Sequence, residues 1–561
     1  MNPRVVQRED SRGPGRIASA CICRIASCLI GFGLILGNQA PWLQHAQAHV
    51  YATHVRLTAT ASGGSGSRVE IRYILNEPAT AGVVVEVLDQ NTVVRRLTLA
   101  SGEMGTRRGE NFVIWDGRSD SGNPACCGSY RVRIITASHG YPTWTLISHD
   151  LDPGQYVYAP SGIAVIRNPD SPYYGRVLVA NSRVGPNALF VPGDRLGILK
   201  FHADGSEASE GSWSDAGWDW AGDGQSPAEL ETAPEGWLYV MDRVGSRILR
   251  LDPEANTTSL GIAWDAAWWP WLHAGVTGFA LSSGASGPWL WVGLSTETVS
   301  SGVYGWVRDQ QGVAAREDPG HLVVRARLGS DLVGAPSDVA VSSQGALWVT
   351  QWRIAAGDPT PRVLRFPVWT NGSPAWEAAV WSVGQAQDTM RGATALALDP
   401  TGRYLAVAFR GAPSMGRYIG GRVMVFNAAT GEWVATLPGV GHEYTDVDWD
   451  AVGNLYVANA SESVWRVYSP PGSNAAVTLS AYTVRLGEDR VRPVLQALGY
   501  ERDAIVLALR GQPNTSYSLE SSSDLLQWRE LIRVALGAET SQTLRVPTSE
   551  PQQFYRARSS P

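Results

Sequence analysis

The side chains best suited to bind a ligand are tryptophans and aspartates in the middle third of the chain. They are Trp213, Trp218, Trp220, Trp269 and Trp271, with Asp219 and Asp223 near the first three. Exposed indole rings can stack on a sugar or an extended partner, and two such carboxylates can help to hold calcium. Tryptophan also packs between β-sheets. The sequence therefore leaves a ligand surface, a calcium site and simple packing open, and the spacing does not match an EF-hand loop.

The usual catalytic motifs are missing from the sequence. It has no Gly-x-Ser-x-Gly elbow, no His-Glu-x-x-His helix and no phosphate-binding glycine loop. The single lysine, Lys200, lies in an alternating run typical of a strand. His442 and Glu443 are neighbours that a strand would point to opposite faces. We therefore predict no catalytic residue, while leaving enzymatic activity open.

The N-terminus has the pattern of an export signal. Arg4, Arg8, Arg12 and Arg16 precede an apolar stretch, and Ala46-Gln47-Ala48 is a small-residue cleavage site before His49. We expect residues 1–48 to be removed, leaving a bacterial protein without a membrane span that is extracellular, at the cell surface or periplasmic.

Only Cys126 and Cys127 remain in the predicted mature chain. Adjacent cysteines do not staple a long loop. In an oxidising compartment we expect a vicinal disulfide, with free thiols or an intermolecular bridge as alternatives.

Composition points to an all-β protein with several domains. The chain has 561 residues, with 60 glycines and 23 tryptophans, which favours many short strands. A net charge of −6 gives no basic surface for nucleic acid, so we exclude nucleic-acid binding.

The first predicted domain is a β-sandwich over residues 49–137, followed by a linker over 138–158. Short alternating strands lead to Trp115-Asp116-Gly117-Arg118, and then to Gly128, Tyr130, Val132 and Arg133 in the pattern Gly-x-Tyr-x-Val-Arg. These residues resemble the FlgD-type Ig-like domain, an accessory spacer or docking module. The resemblance implies that Trp115 and Tyr130 lie in the core and that Asp116-Gly117 forms a turn.

A repeated strand pattern predicts a β-propeller of about six blades over residues 159–480. Its clearest second strand is Gly453-Asn454-Leu455-Tyr456-Val457-Ala458-Asn459. This strand resembles the NHL and gluconolactonase-like propellers, a group that contains both binders and enzymes.

Gluconolactonase-like enzymes hold a divalent metal with Asn and carboxylate side chains on the propeller axis. The aligned positions here are mostly hydroxyls: Ser161, Ala228, Thr277, Ser337, Thr394 and Thr445. Asp338 and Asp446 come one position later, where we expect them to face the opposite way and to bond neighbouring strands. This departure disfavours a metal-dependent lactonase.

The last predicted domain, over residues 490–561, resembles a small β-module found at the ends of exported bacterial proteins. The preferred interpretation is a secreted or cell-surface, non-enzymatic binding or scaffold protein for a glycan or an extracellular or envelope protein. The alternatives are a lactonase-like hydrolase or lyase that acts at the central mouth of the propeller, and a structural envelope component. Calcium is the one cofactor left open.

Overall fold

The structure, a computed structural model, describes residues 49–62, 66–125, 128–185, 195–209, 211–221, 224–269, 275–283, 287–295, 301–325, 336–352, 362–368, 381–383, 390–414, 417–439, 443–486, 493–511, 515–537, 539–548 and 554–559. These residues are all-β, as predicted, with three short 3-10 turns at Pro153–Gln155, Thr257–Ser259 and Ala266–Trp268. In this part of the chain, no helix is long and apolar enough to cross a membrane. The predicted signal sequence, residues 1–48, lies outside the described residues.

The N-terminal strands form two sheets packed face to face. They are β1 (Ala52–Ser62), β2 (Gly66–Leu75), β3 (Gly82–Asp89), β4 (Thr92–Leu99), β5 (Gly109–Trp115) and β6 (Gly128–Tyr141). One sheet has the order β1-β2-β5, and the other contains β6, β3 and β4 in that order. Strand β6 alternates between buried and less buried residues, as expected when one face covers a core. Trp115 and Tyr130 meet edge to face in that core with ring centres 5.1 Å apart, which confirms their predicted role.

Six four-stranded sheets then form the propeller. Blade one is β8 (Pro160–Val165), β9 (Val177–Asn181), β10 (Gly197–Phe201) and β11 (Trp213–Ser214); blade two is β12 (Leu230–Thr232), β13 (Leu238–Asp242), β14 (Arg247–Leu251) and β15 (Gly261–Asp265); blade three is β16 (Gly275–Leu281), β17 (Trp289–Ser295), β18 (Gly302–Val307) and β19 (His321–Arg325). Blade four is β20 (Pro336–Val341), β21 (Leu347–Gln351), β22 (Val363–Phe366) and β23 (Trp381–Val383); blade five is β24 (Ala393–Leu398), β25 (Tyr404–Ser414), β26 (Arg417–Asn427) and β27 (Trp433–Thr436); blade six has β28 (Tyr444–Trp449), β29 (Leu455–Asn459) and β30 (Val464–Ser469).

The sixth blade closes the ring with a strand from the start of the propeller. Its outermost strand is β7 (Thr145–Leu146), which pairs with β30. Arg466 of β30 also binds both carboxylate oxygens of Asp150, at 2.9 and 2.6 Å. Joining the two ends of the propeller in one sheet removes the free edges that an open ring would expose.

The second strand of each blade is buried on both faces because it lies between neighbouring blades. Strands β9, β13, β21 and β29 are buried along their whole length. This explains why the repeat reads as continuous apolar runs rather than as alternation.

The sandwich is completed by residues that follow the propeller. Strands β31 (Gly472–Leu479) and β32 (Val484–Leu486) both pair with β6. The predicted end of the propeller at residue 480 differs from this arrangement, because residues 472–479 extend the sandwich sheet. The predicted linker also differs, since β6 extends to Tyr141 and β7 already belongs to blade six. The propeller is therefore inserted into the sandwich between β6 and β31.

The C-terminal residues form two three-stranded sheets. Their strands are β33 (Val494–Glu501), β34 (Ala504–Arg510), β35 (Thr515–Ser522), β36 (Arg529–Leu536), β37 (Ser541–Pro547) and β38 (Phe554–Ser559). The orders are β33-β34-β37 and β36-β35-β38, and the two sheets share a small apolar core.

Candidate functional site

The inner strands of the six blades present one aligned position to the propeller axis. Glycine or alanine occupies it in blades one, three and five, and an acid occupies it in blades two, four and six. In blade order the residues are Gly162, Glu229, Gly278, Asp338, Ala395 and Asp446. We call Glu229, Asp338 and Asp446 the axial carboxylates.

Each axial carboxylate binds a backbone N–H of the next blade. Asp446 accepts from Ile163 N at 2.7 Å, Asp338 from Leu396 N at 2.8 Å, and Glu229 from Phe279 N at 3.0 Å. Inner strands have a free edge at the axis, so their N–H groups need acceptors from outside the sheet. The carboxylates supply these acceptors, which confirms the prediction that Asp338 and Asp446 bond neighbouring strands. The expectation that these acids face away from the axis is wrong, because Glu229, Asp338 and Asp446 lie close enough to raise one another's pKa values.

The small residues between the acids are required by close packing. A Cβ on Gly278 would lie 2.6 Å from both the Cα and Oδ1 atoms of Asp338. A Cβ on Gly162 would lie 2.0 Å from the carbonyl oxygen of Ala228. The alternation of small and acidic residues therefore follows from the space that each acid and its strand occupy.

A second tier of charged groups lies two residues further along the inner strands. Asp448 accepts from Val165 N at 2.8 Å. Arg167 approaches Asp448 at 3.4 Å and Glu231 at 3.6 Å. The acids of this tier therefore have a cation, and Arg243 lies near the axial carboxylates and donates to the Thr277 carbonyl at 3.3 Å.

Burial shifts the titration of the acids on the axis. It raises the pKa of Asp338 to about 7 and that of Glu231 to about 8. Burial, together with the charges of Asp338 and Asp446, raises the pKa of Glu229 well above its usual range, and burial does the same for Asp446. We therefore expect Asp338 and Glu231 to titrate within the neutral pH range.

The predicted ring of hydroxyls also holds the blades together. Ser161, Ser337, Thr394 and Thr445 each donate to a carbonyl of the next inner strand, at 2.6, 2.7, 3.0 and 2.8 Å respectively. Ala228 cannot make such a bond, and among the described residues Thr277 Oγ1 has no hydrogen-bond partner. Four hydroxyls and the axial carboxylates thus satisfy carbonyl and N–H groups of neighbouring blades.

The predicted ligand-binding tryptophans separate into two groups. Trp220 and Trp269 are only 6% and 4% exposed and lie in apolar cores, which differs from the predicted exposed surface. The reason is packing: Trp269 meets Trp264 and Trp306, with ring centres 5.9 and 5.0 Å away.

Trp213 and Trp218 are half-buried and remain candidates for ligand contact. The Trp213 indole donates to the Leu196 carbonyl at 2.9 Å, and Arg195 lies 5.4 Å from its ring centre. Trp271 lies outside the described residues.

A pocket of about 360 Å³ adjoins Trp218. It is lined by Trp218, Asp219, Ala221, Asp242, Val244, Gly245 and Arg247, and we call it the tryptophan pocket. The β11–β12 connection and the end of β13 meet at this pocket, so it lies on the face of the ring where the inner strands begin. We call this face the upper face.

Two hydrogen bonds and a cation–π contact hold the side chains of the tryptophan pocket in place. The Trp218 indole donates to Asp242 Oδ2 at 3.3 Å, and the Arg247 guanidinium lies 5.7 Å from the Trp218 ring centre. Arg247 is itself held by Asp265 at 2.8 Å. Trp218 and Asp219 were predicted from the sequence, whereas Asp242 and Arg247 were not. Asp242 ends β13 and Arg247 begins β14, and neither residue belongs to a recognisable motif.

The predicted calcium ligands are only partly described. Asp219 is exposed and lines the tryptophan pocket, while Asp223 lies outside the described residues. Among the described residues, no three His, Cys, Asp or Glu side chains are grouped so that they could hold a metal ion. Cys126 and Cys127 also lie outside the described residues, so their predicted disulfide stays a prediction.

Comparisons with known proteins found one matching family profile and several solved structures with similarity. A profile of the FlgD Ig-like domain matches residues 58–140, and no curated protein matches the chain. Solved structures with similarity include a streptogramin B lyase, at 10% identity and TM-score 0.32, covering 59% of this chain and 100% of that one. A gluconolactonase from Xanthomonas campestris has 18% identity and TM-score 0.23, covering 42% and 82% respectively. The propeller domain of Cps50 (Swd1) from Myceliophteria thermophila has 12% identity and TM-score 0.31, covering 74% and 99%. The chain carries a FlgD-type Ig-like domain and a six-bladed β-propeller.

Proposed function

We propose that this chain is a secreted or cell-surface β-propeller protein that binds a glycan or protein partner without catalysing a reaction. The observation that carries the proposal is the tryptophan pocket on the upper face, where Trp218, Asp219 and Arg247 line one cavity. The sandwich and the C-terminal module then space or dock the propeller, and the predicted signal sequence accounts for export.

The chemistry of the tryptophan pocket favours a sugar as the bound group. An indole ring offers an apolar face for the C–H side of a sugar ring, and Asp219 and Arg247 offer an acceptor and donors for its hydroxyls. A volume of about 360 Å³ is at the lower end of small-molecule sites, which suits one or two sugar rings.

The axial acids support a binding role for a different reason. Asp338 and Asp446 each accept two backbone N–H groups, from their own strand and from the next blade. These contacts give Asp338 and Asp446 a structural role, which favours the upper face as the place of recognition.

Binding to a glycan array tests this proposal. We expect the chain that starts at His49 to bind a subset of sugars, and Trp218→Ala and Arg247→Ala to lose that binding. Trp433→Ala is the matched control, because Trp433 is 61% exposed on the outer strand of blade five. No binding to any sugar would exclude the glycan form of the proposal, and equal loss in the control would exclude the tryptophan pocket.

A second candidate function is a hydrolase or lyase that acts from the central mouth of the propeller. The observation that favours it is the contact between Glu229 and Asp338, which hydrogen-bond to each other, with burial raising the pKa of Asp338 to about 7. A carboxyl that titrates near neutral pH is suited to general acid–base catalysis. Hydrolysis of glucono-δ-lactone that disappears in Asp338→Asn but persists in Trp218→Ala would favour this function over the first.

The third alternative, a structural envelope component, predicts binding to envelope proteins alone. Sugar binding by the tryptophan pocket would count against it.

A further inference from the structure

Residues 49–51 run through the interior of the molecule where the sandwich meets the propeller. His49, Val50 and Tyr51 are each 0% exposed. The His49 carbonyl accepts from Asn76 Nδ2 of the sandwich at 2.7 Å and from Asn454 Nδ2 of blade six at 2.9 Å. We call this place the junction. The residue that follows the predicted cleavage site is therefore clamped between both parts of the protein.

Further hydrogen bonds fix the same segment. The Val50 carbonyl accepts from Thr136 Oγ1 at 3.0 Å and from Asn474 Nδ2 at 2.9 Å. The Tyr51 N–H donates to Asn76 Oδ1 at 2.9 Å. The segment thus ties together strands from before and after the inserted propeller.

A buried acid lies near this segment, because Tyr141, whose hydroxyl binds this acid, has its ring centre 6.1 Å from that of His49. Glu77, next to the Asn76 that holds His49, is 1% exposed. Its Oε2 atom accepts from Tyr141 Oη at 2.7 Å, but its Oε1 atom has no hydrogen-bond partner in the part of the chain that the structure describes. Among the described residues, no lysine or arginine forms an ion pair with Glu77. Burial raises the pKa of Glu77 to about 7, with a smaller contribution from the charge of Asp450. A buried carboxyl in this position lacks a positive partner.

We propose that cleavage between Ala48 and His49 creates that partner, so that the new α-ammonium of His49 pairs with Glu77 and locks the junction. The inference rests on the export signal of the proposed function. A signal peptidase adds water across the Ala48–His49 peptide bond and breaks its C–N bond. Ala48 leaves with a carboxylate, and the His49 amine takes up a proton at neutral pH. Maturation then places one charge where the uncleaved chain has only a neutral amide.

The test compares Glu77→Gln in two chains that differ only at the start. One chain begins at His49, and the other carries Gly-Ser-Gly-Ser before His49, so its α-ammonium lies four residues away. In the His49 chain, Glu77→Gln removes the partner of a buried cation, and we expect the melting temperature to fall by a few degrees. In the extended chain it removes an unpaired buried acid, and we expect no change or an increase.

Glu86→Gln is the matched control for this comparison. Glu86 is a sandwich acid that is 2% exposed, and it accepts hydrogen bonds from Arg96 and Arg133, each at 2.6 Å. Neither partner belongs to the N-terminal segment. We expect it to lower the melting temperature equally in both chains. The same effect of Glu77→Gln in both chains would overturn the ion pair. So would a water molecule that links Glu77 to the Nε2 atom of the His49 imidazole, an atom without a hydrogen-bond partner among the described residues.

Two further measurements keep the outcome clear if a variant fails to fold. Lys200 is the only lysine, so the His49 chain has two amines in total, and peptide mapping after acetylation reports each one separately. We expect the α-amine to resist acetylation in the folded protein and to react after unfolding. Rapid acetylation in the folded state would contradict the proposal. Mass spectrometry of the exported protein tests the other step, because an N-terminus elsewhere than His49 would reject the cleavage site while leaving the proposed binding function untouched.

Discussion

The propeller axis and the tryptophan pocket both carry acids, but they use them differently. On the axis, Asp338 and Asp446 are 3% and 4% exposed and bridge neighbouring blades through backbone N–H groups. In the tryptophan pocket, Asp219 is exposed and Arg247 leans against an indole. Acids on the free edge of the inner strands therefore stabilise the ring, whereas an exposed acid beside a half-buried tryptophan is available to a ligand.

The largest expected effect separates these two regions directly. Asp446→Ala leaves the N–H groups of Ile163 and Val447 without an acceptor in a buried site, and we expect it to lower the free energy of unfolding by roughly 3 kcal/mol. Asp219→Ala is the control, expected to change it by less than about 0.5 kcal/mol. Chemical denaturation measures both, and equal effects would remove the distinction between axis and pocket.

A substitution at Gly278 tests how closely the blades pack at the axis. Gly278→Ala places a Cβ 2.6 Å from the Cα of Asp338, and we expect it to lower the free energy of unfolding by roughly 2–3 kcal/mol. Gly499→Ala in the C-terminal module meets no atom within 4 Å and serves as the control. A melting temperature unchanged by Gly278→Ala would show that the blades are not closely packed at the axis.

The pH dependence of stability follows from the raised pKa values on the axis. A carboxyl whose folded pKa exceeds its unfolded pKa binds its proton more tightly in the folded state, so stability increases as pH falls through the folded value. With Asp338 at about 7 and Glu231 at about 8, we expect stability to rise from pH 8.5 to pH 6.5 by roughly 1 kcal/mol from Asp338 and roughly 2 kcal/mol from Glu231.

The variant Asp338→Asn tests the source of this pH dependence, and the titration of His49 opposes it at lower pH. Asp338→Asn should reduce the slope between pH 8.5 and 6.5 without removing it, because Glu231 still titrates, and an unchanged slope would argue against titration of Asp338. Below pH 6.5 the trend is opposed by His49, whose pKa burial lowers to about 4, because stability is lost as pH falls through that range. Melting curves at fixed ionic strength provide the comparison.

The smallest expected effect concerns a single hydroxyl. Thr445 Oγ1 donates to the Pro160 carbonyl at 2.8 Å and so links blade six to blade one. Thr445→Val should lower the free energy of unfolding by about 1 kcal/mol. Thr98→Val on exposed strand β4 should have almost no effect, and a similar cost for both would deny the hydroxyl a role in ring closure.

The sequence predicted the local features of the fold better than its connections. Repeats predicted six blades, because each blade has the same buried second strand, and the Trp115 motif predicted the sandwich core. The return of residues 472–486 to the sandwich was not predicted, since pairing with β6 depends on contacts more than three hundred residues apart. Asp338 and Asp446 were predicted to bond neighbouring strands, but Glu229 was missed, although it follows the aligned Ala228 as Asp338 follows Ser337.

The site was predictable only in part for a similar reason. Trp218 and Trp220 are two residues apart in one insertion, yet one lines the tryptophan pocket and the other lies in the core. Spacing along the chain does not decide which side of an irregular loop faces the protein. Arg247 and Asp242 join the tryptophan pocket from strands, where they resemble ordinary polar residues.

Sugar binding by three variants of the chain that starts at His49 tests directly whether recognition lies in the tryptophan pocket or on the propeller axis. We predict that Trp218→Ala abolishes binding on a glycan array, whereas Asp338→Asn and Trp433→Ala retain it. Binding lost in Asp338→Asn and kept in Trp218→Ala would contradict the account, because it would place recognition on the propeller axis.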